Sequence, residues 1–547
     1  ADYAQDRVDA GVQRRPCACK NIPISLEIYK ILAKDEKNEA AVIGYEFLLS
    51  KIGIPMMPLQ QPACIKPVTR VESLPEMLAI PRHVAPDDDS ILSHVLFALR
   101  YETIQIPVLE QALRLVPADE LEAALARQPQ GGYLRRAAFF WEKANNKSLS
   151  LPHETTGGNY LEIFNPDEYY TGQIWERSQK FRVVFNGVGP YEYCPVVKRD
   201  AGLEQAGLDI LTRLDEWIRD PNNAQMLDRV TNWAYLSETR NSYAIEDEVP
   251  TPDKEQSFLQ AMNRLRDKMP LSEEYLVQLQ NTVISNPIKV EFQFRASQNW
   301  LQRGGRGATG VRYIPPDPDS MITLMNGFMR MANAEDDVPP LVKAALVSFG
   351  FVFIHPFIDG NGRISRLLAH HTLNCKGALP DVNGSPAILP LSVAMKKNEN
   401  EYLNALESFS RPARNLWSVT HISDADFIFE FKSSPQIYAH WSGQRAAEFL
   451  TACAGEALEQ SLIEEAAYLQ AYDQAFQKID RTYDLPNRTI NLLIQWIHQN
   501  NCRMPERRKS ARELLQLKPG QLDEIEAIVM DAFRADEAAE ISRPRES

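Results

Sequence analysis

The segment HPFIDGNGRISR, His355 to Arg366, gathers an imidazole, a carboxylate, two glycines around an asparagine and two guanidinium groups in one short stretch. Arg363 and Arg366 lie three apart in the first turn of a helix that reads Arg363 to His370. Free N–H groups and the dipole at such a helix start favour an anion, and two guanidinium groups add bidentate phosphate donors. A diphosphate or triphosphate suits that cradle. Asp359 suits Mg2+, which takes one or two carboxylates and completes its shell with phosphate oxygens and water. His355 stands close enough to take a proton from an attacking hydroxyl, a role that a neutral imidazole serves near pH 7. A lone GNG turn, or a lone histidine at a helix end, is usually structural. No packing requirement asks for His355, Phe357, Asp359, Gly360, Asn361, Gly362, Arg363 and Arg366 together.

Several elements must position these groups. An apolar run, Val347 to Ile354, leads into the segment and predicts a helix over 341–354, which Pro356 discourages from continuing through His355. Asp359-Gly-Asn-Gly362 predicts a turn in which the glycines reach positive φ. In the helix beyond it, Ile364, Leu367, Leu368 and His371 share an apolar face at i, i+3, i+4 and i+7. Upstream, residues 294–318 predict a hairpin. Two runs that tolerate β structure flank a tip holding Gly304, Gly305, Gly307 and Gly310, and Pro315-Pro316 stops the second run. With only Arg303, Arg306 and Arg312, that tip reads as a flexible loop rather than an RNA-binding patch.

The segment His355–Arg366 resembles the signature of the Fic (Fic/Doc) family, HxFx[DE]GNGRxxR, with no departure at the defining positions. The resemblance implies transfer of AMP from ATP to a hydroxyl side chain (Ser, Thr or Tyr) of a target protein, and of the chain itself. Position by position, it implies that His355 is the general base and that Asp359 binds Mg2+ bridging the α- and β-phosphates. Gly360, Asn361 and Gly362 would form the anion hole, Arg363 would grip the phosphates, and Arg366 would bind the γ-phosphate. Attack at Pα would be in line, with pyrophosphate leaving. The hairpin is similar to the family's flap, which aligns an extended target segment by strand addition. Val311, Arg312, Tyr313, Ile314 and Pro315 are its expected edge. Tyr402 lies where relatives place an adenine-contacting tyrosine; stacking on the base and burial within a helix both stay open.

A second resemblance lies at Asn241-Ser-Tyr-Ala-Ile-Glu246. Ser242 and Glu246 fit the family's inhibitory pattern [ST]xxxE[GN], four apart and so on one helix face. A glutamate reaching Arg366 would deny that arginine to the γ-phosphate. Asp247 departs from the preferred Gly or Asn; if it closes the helix in a left-handed conformation, Asp is tolerated less readily. Together the resemblances span about residues 203–410. They leave open UMP, phosphocholine or phosphate transfer on the same site, removal of AMP by a water that Glu246 positions, and a non-catalytic nucleotide-binding scaffold.

The whole chain of 547 residues is too long for one ordinary core. The expected fold is mainly α: a Fic-type helical core with a β-hairpin flap over residues 200–414, which includes the inhibitory helix. A mobile tail over 1–20 and an α+β domain over 21–199 precede it, and a helical domain over 415–547 follows. Helical periodicity is read from Ile22 to about Arg127 (SLEIYKILAK, ADELEAALAR), and strands or extended loops from Tyr133 to Arg199. Asp87-Asp88-Asp89 reads as the capped start of a helix at Ser90 rather than a metal site. Cys17-Ala-Cys19 lacks a partner pair at zinc spacing and reads as part of the tail. The basic stretch 503–510 reads as a solvated loop. A net charge of −14 argues against a broad nucleic-acid footprint. Seven cysteines without regular spacing favour reduced thiols and a cytoplasmic setting. No apolar run is long enough for a membrane helix and no signal peptide is read, so ATP and a protein target are the expected partners. A homodimer is compatible with this reading.

Overall fold

The structure, a computed structural model, describes residues 42–150, 159–284, 289–305, 307–423, 426–509 and 520–541, with scattered positions from 511 to 518. The tail, its Cys17 and Cys19, the SLEIYKILAK helix and Arg306 lie outside the described residues.

Five helices build most of the N-terminal region: α1 (Gly44–Lys51), α2 (Ile91–Tyr101), α3 (Ile106–Leu113), α4 (Ala118–Arg127) and α5 (Gly132–Asn145). The Ser90 side chain accepts from Ser93 N and so caps α2, as its position after three aspartates predicts. Two features differ from the sequence reading. The segment read as helical contains a small sheet, β1 (Ala63–Ile65), β2 (Glu72–Leu74) and β3 (Met77–Ile80), in the order β1-β3-β2. Its strands have three or four residues, too short for a period to show. Conversely α5 opens the segment read as strands; Leu134, Ala137, Ala138 and Trp141 are buried at i, i+3, i+4 and i+7. A second sheet follows in the order β4-β6-β5, from β4 (Leu161–Glu162), β5 (Glu176–Ser178) and β6 (Val183–Phe185).

The middle of the chain is helical: α6 (Ala201–Arg219), α7 (Leu227–Ala244), α8 (Pro252–Arg264), α9 (Glu273–Ile284), α10 (Pro318–Ala332), α11 (Pro340–Ile354), α12 (Asn361–Cys375), α13 (Leu391–Lys397) and α14 (Glu399–Arg414). Helix α11 is buried on nearly every side, as an all-round apolar sequence requires. Between α9 and α10 the predicted hairpin forms from β7 (Leu301–Gln302) and antiparallel β8 (Val311–Tyr313), and a short hairpin of β9 (Asp381–Val382) and β10 (Ser385–Pro386) follows α12.

Beyond Arg414 the chain is not helical throughout. A second hairpin, β11 (Trp417–Ser423) with β12 (Asp426–Phe431), comes first. Its strands alternate, and DFIFEF places Phe427, Phe429 and Phe431 on one face toward Trp300, Val311 and Ile314 of the first hairpin. Then come α15 (Gln436–Ala439), α16 (Gln444–Ala457), α17 (Glu464–Thr482), α18 (Asn487–Gln499) and α19 (Gln521–Ile541). One apolar cluster runs from Tyr45 to Ala466, and another from Ala475 to Ala532. The first cluster has members on both sides of 199–200 and of 414–415. Among the described residues no helix is long and apolar enough to cross a membrane.

Candidate active site

Helix α11 ends at His355, whose φ of +54° and ψ of +60° turn the chain out of the helix ahead of Pro356. The imidazole is buried. Its Nδ1 lies 3.0 Å from the Val352 carbonyl, an acceptor only, so Nδ1 carries the hydrogen and Nε2 the lone pair. Burial pulls the ring's pKa down to about 4, and the nearby Arg295 charge acts in the same direction. His355 is thus neutral at physiological pH, the form that accepts a proton. The Asn361 carboxamide closes the loop that follows: Oδ1 accepts from Phe357 N at 3.0 Å and Nδ2 donates to Phe357 O at 2.8 Å. Asn361 acts as a staple through its side chain. Of the two glycines only Gly360 needs positive φ, at +88°. Gly362 is required for space, since a Cβ there would come within 2.4 Å of Glu246 Oε1.

Arg363 and Arg366 project from the first turns of α12 toward the end of α7, and both are buried. Arg366 donates from Nε to Ser242 Oγ at 2.8 Å and from a terminal nitrogen to Ser242 O at 2.7 Å and Glu246 Oε1 at 2.8 Å. The second oxygen of Glu246 lies 3.0 Å from Arg363 Nε. Arg363 also lies 3.5 Å from Glu248 and stacks over the Tyr243 ring. Burial would lower the Arg363 pKa, but Glu246, Glu248, Tyr243 and Asp359 together raise it. Helix α7 stops at Ala244, so Glu246 reaches the arginines from the turn after the helix rather than from its face. Asp247 closes that turn with φ +56°, the left-handed conformation that the departure from Gly or Asn brought into question. Farther back on α7, buried Glu238 accepts from Ser392 N at 2.7 Å and lies 3.1 Å from His370 Nε2, pinning α7 to α13 and α12.

Asp359 sits at the mouth of this cradle. Burial raises its pKa, but the hydrogen bond from Lys289 at 2.7 Å and the Arg363 charge outweigh that and hold the carboxyl below its usual range. Among the described residues no cluster of three His, Cys, Asp or Glu could hold a metal. A lone ionised carboxylate beside a phosphate cradle nevertheless fits Mg2+, which takes its remaining ligands from phosphate and water. Lys289, Arg295 and Glu248 were not singled out in the sequence, because each acquires its role from a fold-made contact across the chain.

The flap differs from expectation in its usable edge. Val311, Tyr313 and Ile314 are buried, and only Arg312 of the strand is exposed. The Val311 carbonyl accepts from Arg414 at 3.1 Å, that of Ile314 from Tyr438 at 2.7 Å and that of Pro315 from Gln298 at 3.0 Å. The 311–315 segment is the inner strand, already committed to the core; the outward strand is β7, with Leu301 41% exposed. Tyr402 is the buried helix tyrosine of the two readings. It stacks on Phe449, packs against Phe349 and directs its hydroxyl toward Arg366.

A helical region thus presents a buried neutral imidazole, a loop-to-helix turn and two guanidinium groups held by one glutamate. Residues 270–373 match the Fic/DOC family. The chain carries a Fic domain there. A stretch of 146 residues is 33% identical to the protein adenylyltransferase Fic of Drosophila yakuba, covering 26% of this chain and 26% of that protein. Identity to the Drosophila melanogaster protein of the same name is 32% over 146 residues, again 26% of each. The match thus spans about a quarter of the length of these curated relatives. Among solved structures, a Fic family protein from Desulfovibrio desulfuricans G20 is similar at 15% identity and TM-score 0.36, over 51% of this chain and 80% of that one. Fic-1 from C. elegans is similar at 14% identity and TM-score 0.32, over 69% and 99%.

Proposed function

We propose that this protein is a protein adenylyltransferase, held inactive by Glu246. The observation that carries the reading is the shared cradle: one carboxylate occupies both guanidinium groups that the signature directs at phosphate. Its relatives' name, protein adenylyltransferase, supports the reaction class. In the active state Arg366 releases Glu246 and takes the γ-phosphate, while Arg363 and the N–H groups at the start of α12 hold the rest of the chain of phosphates. His355 Nε2 takes the proton of the target hydroxyl. That oxygen forms its bond to Pα as the bond from Pα to the pyrophosphate oxygen breaks, and pyrophosphate leaves into the cationic cradle. Asp359 would hold Mg2+, whose charge supplements the arginines against the phosphates. The outer edge of β7 is the place for an extended target segment to add as a strand.

We place the protein in the cytoplasm, in keeping with its unpaired thiols; Cys64, Cys194, Cys375 and Cys453 form no disulfide. The test is intact-mass measurement of Glu246→Gly after incubation with ATP, UTP or CDP-choline. Mass gain of one AMP with ATP alone supports the reading; gain with UTP or CDP-choline instead replaces it with the corresponding transfer. Nucleotide binding with no covalent product in any arm would point to a scaffold.

A further inference from the structure

Arg295 lies at the start of the flap segment, ahead of β7, and its side chain is buried, with the residue 3% exposed. Among the described residues no carboxylate lies within ion-pair distance of it. Burial lowers its pKa to about 10, so it keeps its charge at neutral pH. A buried guanidinium without an anion is costly unless its hydrogens find acceptors. They do, and all the acceptors are backbone carbonyls. Nε donates to His355 O at 2.8 Å, one terminal nitrogen to Ser297 O at 2.9 Å, and the other to Pro316 O. The backbone N–H of Arg295 donates to Pro356 O at 2.8 Å.

These acceptors fall in two groups. His355 O and Pro356 O belong to the catalytic turn; Ser297 O and Pro316 O belong to the two ends of the flap. His355 is a non-glycine residue at positive φ, a conformation that persists only where surroundings over-determine it. Arg295 holds the two carbonyls that follow the His355 Cα, His355 O through its side chain and Pro356 O through its backbone N–H. Asn299 adds a bond of the same direction, donating from Nδ2 to Phe357 O at 3.0 Å. Simple packing would need neither a fork nor a charge here. We infer that Arg295 is a positioning residue that joins the flap to the His355 turn as one rigid piece, so that the imidazole and the hydroxyl of a flap-docked target meet in register. The inference rests on the adenylyltransferase reading. Its charge also acts on the ring, opposing protonation of His355.

The test uses the full chain carrying Glu246→Gly as parent, with Arg295→Lys and Arg295→Met added in turn. Both variants should lose about 10- to 100-fold in kcat for AMP transfer, the scale of a misplaced reacting group, while the Kd for a non-hydrolysable ATP analogue changes less than about twofold. The acid limb of the pH–rate profile should stay in place for Arg295→Lys and move upward for Arg295→Met. Parental kcat together with an unmoved acid limb in Arg295→Met overturns the inference. If the Arg295 variants lack a cooperative thermal transition, Asn299→Ala decides, since it removes only the bond to Phe357 O: a several-fold loss of kcat at constant ATP affinity is expected, and parental kcat overturns. Should the parent transfer no AMP, the proposed function fails separately. The His355 ring signal in NMR, assigned by its loss in His355→Ala, still reports: titration at higher pH in Arg295→Met supports the brace, and unchanged titration removes it.

Discussion

Glu246 lies 2.8 Å from Arg366, and its other carboxylate oxygen reaches Arg363 at 3.0 Å. Both arginine side chains are therefore occupied at once by a group that a Cβ on Gly362 would displace. A charge-assisted hydrogen bond contributes about 1.5–3 kcal/mol. Removing the carboxylate in Glu246→Gly should raise self-modification and target labelling with tagged ATP by roughly 10- to 100-fold on that scale. Glu246→Gln keeps the side chain but loses its charge, and should fall between. His355→Ala should abolish labelling in either background. Unchanged or lower labelling in Glu246→Gly would falsify autoinhibition through this carboxylate.

The turn that carries Glu246 holds its own strain. Asp247 closes α7 at φ +56°, with Glu248 N donating to Tyr243 O across the helix end. For a residue with a Cβ that conformation costs about 1–2 kcal/mol, a cost glycine escapes. Asp247→Gly should therefore favour the inhibited arrangement and lower basal self-modification about fivefold, the effect of roughly 1 kcal/mol. Thermal stability should not fall. Basal labelling measured beside Glu246→Gly checks this, and a rise would mean that the Asp247 carboxylate itself supports inhibition.

Lys289 occupies one oxygen of Asp359, at 2.7 Å, while Arg363 sits 3.3 Å from the other. A cation binding to Asp359 must compete with Lys289. The lysine is half-exposed, so the pair is weak and screened by salt. In the Glu246→Gly background, Lys289→Ala should lower the Mg2+ concentration at half-maximal labelling by about two- to fivefold, and the difference should shrink at high salt. Asp359→Ala should leave labelling negligible at any Mg2+ concentration. A Mg2+ titration identical with and without Lys289 would show that the contact does not cover the metal position.

What the sequence disclosed and what it withheld follow physical lines. The motif was legible because its members sit within one turn and one helix start, where local rules decide geometry: Gly360 takes positive φ, and Arg363 and Arg366 share the first turns of α12. Glu246 was legible through its spacing from Ser242, although the helix ends two residues before it. Arg295 and Lys289 were silent, because a buried guanidinium bound to three backbone carbonyls and a lysine on a distant aspartate are made only by folding. The contacts of the 311–315 segment were silent for the same reason. Arg414, Tyr438 and Gln298 donate to the carbonyls of Val311, Ile314 and Pro315. The hairpin β11–β12 carried a visible signal in the alternation of DFIFEF, masked by the helical sequence around it.

Among the described residues His94, His355, His371 and His440 are buried with lowered pKa values, which favours acid loss of stability. Burial lowers the pKa of His355, His371 and His440 to about 4 each. In the unfolded chain a histidine titrates near ~6.5. Between pH 6.5 and 4 the unfolded state therefore binds protons that the folded state refuses, so stability rises with pH across that window and is lost as pH falls through it. The loss saturates below about pH 4 for these groups, at an upper bound of roughly 3 kcal/mol each. Carboxylates held below their usual range, Asp359 among them, add a further loss at lower pH. Denaturant midpoints should fall as pH drops from 6.5 to 4, against an opposing contribution from buried Glu102, whose pKa is raised to about 8 and whose stabilisation is lost as pH rises. His440→Gln, which keeps a donor for the Cys194 carbonyl at 3.2 Å, should flatten that slope by removing one of its titrating groups. A slope unaltered by His440→Gln would mean that His440 takes up its proton in the folded state.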